Sequence, residues 1–380
     1  YTNLVTKSCL DDCKVLCVKK FMERHKKSDV AQLIEYLIPN PLDLNNHYSN
    51  LSQDNIKDFQ LLVTVDTVFI HEFLFFSSTA RSYCQDKQQE FLHSFFNNKT
   101  KCNQEPITST DYLYDFFNND FKCNPVWWHL FFMGNQIPTF FLNKIAEFPK
   151  TNEVNVKDLR TVFLDIVVTN CPFPMRKNTP NWNFFDCKHL LDCQYVLVTH
   201  EIHEHRRSLQ LQDPRRMNQG AIFLPSYHRD RLPTASQLSK VGISFQARQG
   251  GTSVIKYHRR KLQLDLPRII VYKGTEDVLR NLLAYEQTSK DGGEFTKYAI
   301  IMDSLIDTPE DVAILTKAGV IVNHLGDDVE LVNLWNELYD TDIVIKSCER
   351  WDKMTSDVLE HYRSPWRPMY VEFHEKFFSR

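Results

Sequence analysis

Glycine is scarce in this sequence. Only 10 of the 380 residues are glycine, which is about 3% against roughly 7% in average usage. Glycine-rich loops allow a backbone to approach phosphate groups closely, and the strings GxGxxG, GxxxxGK[ST] and GxSxG are all absent. The scarcity of glycine therefore weighs against phosphate-binding loops and doubly wound nucleotide-binding folds.

Neither the cysteines nor the net charge indicates a metal site or a nucleic-acid partner. The ten cysteines form no CxxC pair, so the spacing typical of zinc sites is missing. Their scattered positions predict reduced, mostly buried thiols, with disulfides in an exported protein as the alternative. The 45 Lys and Arg residues nearly balance the 48 Asp and Glu residues. The sequence predicts no cofactor, no metal and no nucleic-acid partner.

Long hydrophobic runs are also missing. A membrane-spanning helix needs about 20 consecutive apolar residues, and the closest candidate, Leu61 to Phe76, is interrupted by Asp66, His71 and Glu72. No signal-peptide pattern is present. The sequence does have a hydrophobic fraction of 42% that includes 27 Phe. At this length, that composition predicts a large core rich in aromatic side chains.

The most regular pattern lies between Thr275 and Tyr339. Apolar residues recur there at spacings of three and four, which is typical of amphipathic helices. Thr308-Pro309 supplies an N-cap and a proline at the first helical position, and Gly319 supplies a C-terminal stop. Gly326-Asp327-Asp328 opens a last helix in a similar way. These signals predict a helical core with buried stripes.

A short β-rich region precedes that helical core. Val254–Tyr257, Leu262–Leu266 and Arg268–Val271 are rich in β-branched residues or alternate with period two, which predicts a small antiparallel sheet or hairpin. Helical patterns dominate the first half, where Asp58–Phe76 is apolar on nearly all sides and predicts a central buried helix. The predicted fold class is mainly α, a helix-dominated α+β chain with a small antiparallel sheet in its second half.

The length favours about two domains, although one continuous domain is allowed. The composition becomes polar and charged from Glu201 to Pro233, which predicts a linker or an exposed insertion. The expected organisation is an N-terminal helical lobe (residues 1–200), this polar segment (201–233), and a C-terminal lobe with the β-hairpin and helices (234–380). Lys99–Asn124 is also polar and irregular and predicts a variable loop.

Several polar residues occupy positions that could meet in one buried polar centre. Asp66, Glu286 and Asp303 lie on or beside apolar stripes of predicted helices. The other candidates are Asn135, Gln136, Arg280 and Asn281. Paired carboxylates can divide acid and base roles or hold a divalent metal. The interpretation that we favour is a structural network in which each buried charge is tied to a cation or a helix end, as the i,i+4 spacing of Glu276 and Arg280 predicts for that pair.

Five segments of the sequence resemble the plant family called domain of unknown function 247. They are DFQLLVTVDTVFIHEF (58–73), GNQIPTFFLNKI (134–145), TEDVLRNLLAYEQ (275–287), MDSLIDTPEDVAIL (302–315) and GVIVNHLGDDVEL (319–331). The resemblance covers nearly the whole chain in the family's order. Thr67 stands where the family has glycine, and Gly134 and Asn143 stand where it has glutamate, which is the pattern of a divergent member.

The resemblance implies a function that the residues alone do not indicate. Family members have no established enzymatic activity and usually carry an additional N-terminal segment and a C-terminal membrane helix. Some divergent members in grasses are implicated as pollen-side determinants of self-incompatibility. We therefore expect the soluble portion of a protein anchored at a membrane, most simply the plasma membrane, through a C-terminal helix that this chain lacks.

In that interpretation the chain is a recognition or signalling module that works through protein partners, such as a paralogous family member or a small secreted protein. Its specificity is expected in the segments Lys99–Asn124 and Glu201–Pro233. Two alternatives stay open. One is a hydrolase-like enzyme that uses Asp66, Glu286 and Asp303, and the other is a structural membrane scaffold.

Overall fold

The computed structural model describes residues 14–23, 25, 29–48, 55–74, 136–148, 164, 167–168, 171–175, 187–199, 231–288, 293–338 and 349–364. The chain divides into two compact units, each built from more than one stretch of sequence. The first unit comprises Tyr1–Leu130, Gly134–Asn170 and Trp182–Leu190, and the second comprises Phe131–Met133, Cys171–Asn181 and Leu191–Arg380. The predicted lobes and the predicted polar segment between them stay a prediction, because most of residues 201–233 lie outside the described part of the chain.

The first unit is built from helices in its described residues. They include α1 (14–23), α2 (Val30–Leu37), a 3-10 helix (Pro41–Asn46), α3 (56–74) and α4 (Thr139–Ala146). Short polar caps set two of the boundaries. The Asp29 carboxylate accepts the N–H of Ala31 at 2.8 Å, and the Asn40 side chain accepts the N–H of Leu42 at 3.1 Å. Both residues thus satisfy N–H groups that a helix start leaves without an intrahelical partner.

Helix α3 is buried mainly over its second half. Residues 66–74 are all buried, whereas Leu61 and Leu62 are 45% and 50% exposed. The prediction of a helix buried on nearly all sides is therefore wrong at its N-terminal end, where one face meets solvent. Helix α4 is fixed at its start by Thr139, whose hydroxyl donates to the carbonyl of Cys187 at 2.6 Å.

The second unit contains most of the regular helix pattern seen in the sequence. Its described helices include residues 191–199 of α5 (190–199), α6 (Ala235–Ser239), α7 (Thr275–Thr288), α8 (Glu294–Leu305), α9 (Pro309–Lys317), α10 (Asp328–Asn336) and α11 (Glu349–Arg363). The predicted boundaries are confirmed. Thr308 forms a capping box with Asp311, Gly319 adopts a φ of 73° after α9, and Asp327 accepts the N–H of Val329 at 2.9 Å.

Helix α8 forms the core of this unit. Tyr298 and Met302, on its inner faces, are completely buried. The rings of Phe173 and Trp335 meet the Tyr298 ring edge-on, with centroid distances of 5.4 and 5.9 Å. Edge-to-face contact is a favoured arrangement for aromatic rings. These rings form an aromatic group around Tyr298 in the core of the second unit.

Two small sheets accompany these helices. The strands are β1 (Ser244–Arg248), β2 (Lys256–His258), β3 (Gln263–Pro267), β4 (Ile269–Val271) and β5 (Ile321–Asn323). The first sheet has the order β1-β3-β2, and β4 pairs with β5 in the second. Only the β2–β3 hairpin is antiparallel as expected, because β1 runs parallel to β3 and β5 runs parallel to β4.

The helix-dominated α+β fold class is confirmed. The antiparallel expectation was too narrow, since both parallel pairings join strands that are distant in sequence and that local patterns cannot pair. In the described part of the chain, no helix is both long enough and apolar enough to span a bilayer.

Candidate functional site

Glu286 lies in the last turn of α7 and is 1% exposed. Its carboxylate accepts the N–H groups of Phe295 and Thr296 at 2.9 and 2.7 Å. It also accepts the hydroxyls of Thr296 and Tyr195, both at 2.6 Å. Because these N–H groups belong to the first turn of α8, the carboxylate caps that helix and faces the positive end of its dipole.

The neighbours of Glu286 extend this set of contacts. The Tyr285 hydroxyl donates to Asp192 at 2.6 Å, and the Gln287 side chain donates to the Thr296 hydroxyl at 3.1 Å. The segment Tyr285-Glu286-Gln287 therefore ties α7 to α5 and α8. We call this set of residues the YEQ cluster; its members are Asp192, Tyr195, Tyr285, Glu286, Gln287 and Thr296.

Asp303 lies on the same helix α8 and is 7% exposed. Its carboxylate accepts a hydrogen bond from the guanidinium of Arg231, whose side chain is 42% exposed. Arg231 is the first described residue after position 199 and lies four residues before the start of α6. The ion pair therefore holds the segment that leads into α6 against α8.

Arg280 and Asn281 point to other groups. Arg280 donates to Glu276 at 2.7 Å, which confirms the predicted i,i+4 pair, and also to the carbonyls of Glu337 and Leu338 at 2.7 and 3.2 Å. A cation at these carbonyls favours the C-terminal end of α10. The Asn281 amide donates to the carbonyl of Asp277 at 2.7 Å. The described contacts of the candidate residues in the second unit thus go to separate structural partners.

The first unit contains a polar cluster of its own around Tyr48. Asp66 forms an ion pair with Lys14 at 2.6 Å, and both side chains are largely buried. Burial, and then the nearby charge of Asp66, raise the pKa of the Tyr48 phenol above its ordinary value. The same hydroxyl donates to the carbonyl of Gln136 at 3.5 Å. Two of the candidate residues, Asp66 and Gln136, thus lie near the hydroxyl of Tyr48. Asn135 lies outside the described residues.

The three candidate carboxylates, Asp66, Glu286 and Asp303, form ion pairs or cap a helix, and they are not all in the same unit. Asp66 belongs to the first unit, and Glu286 and Asp303 belong to the second. Each carboxylate has its own cation or set of donors, as buried charges require. Within the described residues, no group of three or more His, Cys, Asp or Glu side chains is arranged to hold a metal ion.

Sequence reasoning did not single out Asp311, which is completely buried. Its carboxylate accepts the N–H of Ser236 at 2.7 Å and the N–H and hydroxyl of Thr308 at 3.0 and 2.8 Å. Burial alone would raise the pKa of Asp311, but these hydrogen bonds hold it below its ordinary value. The Thr308-x-x-Asp311 spacing is typical of a capping box and could have predicted the contacts with Thr308, but not the contact with Ser236.

Asp265 was also missed as a candidate. It lies on the central strand β3 and is 5% exposed. Its carboxylate accepts hydrogen bonds from Arg248, His258 and Gln263, at 2.8, 3.0 and 2.6 Å. Burial alone would raise the pKa of Asp265, and these bonds hold it below its ordinary value. A single acid inside a strongly basic stretch was the signal in the sequence.

Comparison with known proteins assigns the chain to a family. Residues 6–380 match the model of the family DUF247, described as plant protein of unknown function. The chain belongs to this family. Three members of the YEQ cluster, Tyr285, Glu286 and Gln287, and the Gln136-Ile137-Pro138 segment of this DUF247 member therefore lie in the motifs that carried the resemblance.

A curated relative of this DUF247 member is the UPF0481 protein At3g02645 of Arabidopsis thaliana. It is 34% identical over 138 residues, which is 36% of this chain and 26% of the relative. The aligned stretch thus spans about a quarter of the relative's length. No solved structure matches the chain significantly.

Proposed function

We propose that this DUF247 member is a protein-recognition module of a protein anchored at the plasma membrane, and that it acts as a male (pollen) determinant of self-incompatibility. Its partner is a protein, either a paralogous family member or a small secreted protein. The observation that carries this proposal is the way in which the second unit holds both flanks of residues 200–230. A rigid framework that fixes the ends of a connecting segment is typical of recognition proteins.

The N-terminal flank is held at the end of α5. The Val198 carbonyl accepts a long hydrogen bond of 3.5 Å from the Thr252 hydroxyl. A Cβ built on Gly251 would lie 1.7 Å from the same carbonyl oxygen, so the two backbones are in direct contact. Tyr195, one turn earlier, is bound to the buried Glu286. The helix that leads into the segment is therefore fixed to the core of the unit.

The C-terminal flank is held by a different set of contacts. Arg231 is paired with Asp303, and Leu232 is only 5% exposed. Thr234 caps α6 and forms a capping box with Gln237. Because both flanks are fixed, changes of sequence within residues 201–230 can alter a binding surface without altering the framework. The segment Lys99–Asn124 is the second proposed specificity determinant.

The contacts of Asp66, Glu286 and Asp303 favour a structural role for these three side chains over a role in a hydrolase. A general acid or base must reach the substrate, and these carboxylates already hold a lysine, a helix start and an arginine. These contacts therefore weigh against the hydrolase alternative.

Affinity capture from pollinated reproductive tissue tests the proposal. The baits are the membrane-anchored full-length protein and a version in which residues 201–230 come from a second allele. A matched control replaces the exposed residues Glu330, Asn333 and Asn336 of α10 in the same unit. Recognition predicts a partner that is retained by the control and lost on exchange of the segment. Equal capture by all three baits would support the scaffold alternative and contradict the proposal.

A further inference from the structure

Charge is distributed unevenly along this chain. The stretch from Arg231 to Gly274 contains nine Lys and Arg residues and one acid, Asp265, for a net charge of +8. The remaining 36 Lys and Arg residues and 47 acids give the rest of the chain a net charge of −11. A nearly neutral protein thus contains a strongly basic region, which includes the three-stranded sheet.

The strand register places two of these nine cations, Arg248 and Lys256, on one face of the sheet. Gln246, Asp265 and Lys256 are direct neighbours across β1, β3 and β2. Because side chains alternate along a strand, positions two residues away share that face, and the contacts of Arg248 and His258 with Asp265 agree. We call it the basic sheet face; its residues are Ser244, Gln246, Arg248, Lys256, His258, Gln263 and Asp265.

The positive charge of this face is accessible. Lys256 is exposed, as are Arg260 and Lys261 in the turn that follows β2. The structure describes no ion pair for these three side chains, whereas the neighbouring Arg259 is paired with Asp357 and Glu360. Asp265 is buried beneath the face and orients Arg248. The exposed cations Lys256, Arg260 and Lys261 therefore attract negative charge to this face and to the turn beside it.

Among the described strands, β1 also forms one edge of the three-stranded sheet. Ser244 donates to the carbonyl of Leu262, and the Arg248 carbonyl accepts from Arg268, both at 2.8 Å. In a parallel ladder alternate residues direct both backbone groups to the same neighbour, so Phe245 and Ala247 direct theirs outward. In the sheet order of the described strands, no strand follows β1 on that side.

The opposite edge of the sheet is different. Strand β2 lies beside α11, where Arg350 donates to the carbonyls of Ser253 and Ile255 at 2.5 and 2.8 Å. At β1, the described contact on the outward groups is a weak local one, from the Gln246 side chain to the Ala247 carbonyl at 3.4 Å. The basic sheet face and an unpaired strand edge therefore meet at β1.

We infer that β1 is a docking edge for an extended acidic segment of a protein partner, which adds as a strand and places alternate carboxylates over the basic sheet face. The inference rests on the proposed function, in that the chain works by binding proteins. Strand addition uses main-chain hydrogen bonds for affinity and alternate side chains for specificity. Alternate residues of such a segment are ~6.6 Å apart, which is also the spacing of Ser244, Gln246 and Arg248 along β1.

Other occupants fit this surface less well. A second copy paired edge to edge would place like charges opposite one another, which is unfavourable. Single-stranded nucleic acids bind sheet faces mainly by stacking on aromatic side chains, and the basic sheet face contains no Phe, Tyr or Trp. An anionic membrane surface would use the charges but not the row of outward backbone groups.

Fluorescence anisotropy on the 380-residue chain tests the docking edge. The probe is a labelled, capped hexapeptide that alternates glutamate and valine. The comparison peptides alternate lysine and valine, or carry N-methyl groups on the amides that would face β1. We expect the glutamate peptide to bind, the lysine peptide not to bind, and N-methylation to weaken binding by about tenfold, the effect of losing one or two net hydrogen bonds.

Protein variants locate the site. Ala247→Pro removes an outward N–H while leaving the β1–β3 ladder bonds in place, and Arg248→Gln removes the cation of the face that lies on β1. Lys353→Glu changes an exposed lysine of α11 and is the matched control. We expect the first two to weaken binding by about tenfold and the control by less than about twofold.

Three outcomes would overturn the docking edge. They are equal binding of the N-methylated and parent peptides, tighter binding of phosphatidylserine vesicles than of the peptide, and tighter binding of an oligothymidylate. The peptide titration does not depend on residues 201–230. If the peptide does not bind but capture of the partner still depends on residues 201–230, only the docking edge is contradicted. If the peptide binds but capture does not depend on that segment, only the proposal for the segment is contradicted.

Discussion

The Glu286 carboxylate accepts both the N–H and the hydroxyl of Thr296, at 2.7 and 2.6 Å. The last turn of α7 therefore caps the first turn of α8, a helix with ten of its twelve residues buried. The same carboxylate holds Tyr195 of α5. One buried acid thus sets the geometry of three helices, and the first prediction concerns its removal.

Glu286→Ala leaves the N–H groups of Phe295 and Thr296 and the Tyr195 hydroxyl without their acceptor. We expect a loss of about 3–5 kcal/mol in the free energy of unfolding, because buried donors are costly to leave unpaired. The control is Glu276→Ala on the same helix, which removes an exposed ion pair and should cost less than about 1 kcal/mol. Urea denaturation measures both, and equal losses would contradict the capping role.

Gly251→Ala is expected to disrupt the junction between α5 and the turn before β2. The added Cβ would lie 1.7 Å from the Val198 carbonyl oxygen, so the two backbone segments must separate. The matched control is Gly326→Ala, which has a φ of 92° but nothing within 4 Å of its Cβ. We expect a loss of about 1 kcal/mol for the control, from backbone strain alone. Gly251→Ala should cost several times more in thermal unfolding.

Asp311 makes stability depend on acid pH. Its pKa is lowered in the folded state by the bonds from Ser236 and Thr308, although burial opposes this. The stabilisation is present above the unfolded pKa of about 3.9 and is lost as the pH falls through the lower folded value. In Asp311→Asn the new amide NH2 cannot accept the Thr308 N–H. The variant should be less stable at pH 7 and should lose less stability on acidification.

Urea titrations at a series of pH values below about 5 measure this effect. Glu310→Gln, at an exposed position of the same helix, is the control and should keep the native slope. A slope in Asp311→Asn as steep as that of the unmodified chain would assign the acid sensitivity to other groups.

Cys171 is expected to resist alkylation in the folded protein. Burial raises the pKa of its thiol to about 12, so the reactive thiolate is rare at pH 8. Cys17, Cys187 and Cys193 are also buried. Mass spectrometry after iodoacetamide treatment should find Cys171 modified rapidly in urea and slowly without it. Rapid labelling in the native state would contradict the burial.

Helix boundaries were the part of this structure that the sequence specified best. The Thr308-Pro309 start, the Gly319 stop and the Asp327 cap each depend on residues within one turn of one another. The Glu276–Arg280 pair is equally local. Such signals can be read directly because the chain itself brings the groups together.

The remaining features depend on distant parts of the chain. Glu286 was a candidate on its own helix, but its partner Tyr195 is 91 residues away. Strand β1 has no β-branched residue, and only its parallel pairing with β3 makes it a strand. Asp265 acquires its role from Arg248 on that same strand β1. Periodicity cannot predict these contacts, because packing between elements creates them.

The most direct test of the central claim is a pollination assay with residues 201–230 exchanged between two alleles. Plants express the full-length protein, the exchanged version, or the Glu330, Asn333 and Asn336 control in pollen, and pollen-tube growth is scored on stigmas of both genotypes. The recognition account predicts that the rejecting genotype changes with the segment and not with the control. Identical rejection by all three chains would contradict it.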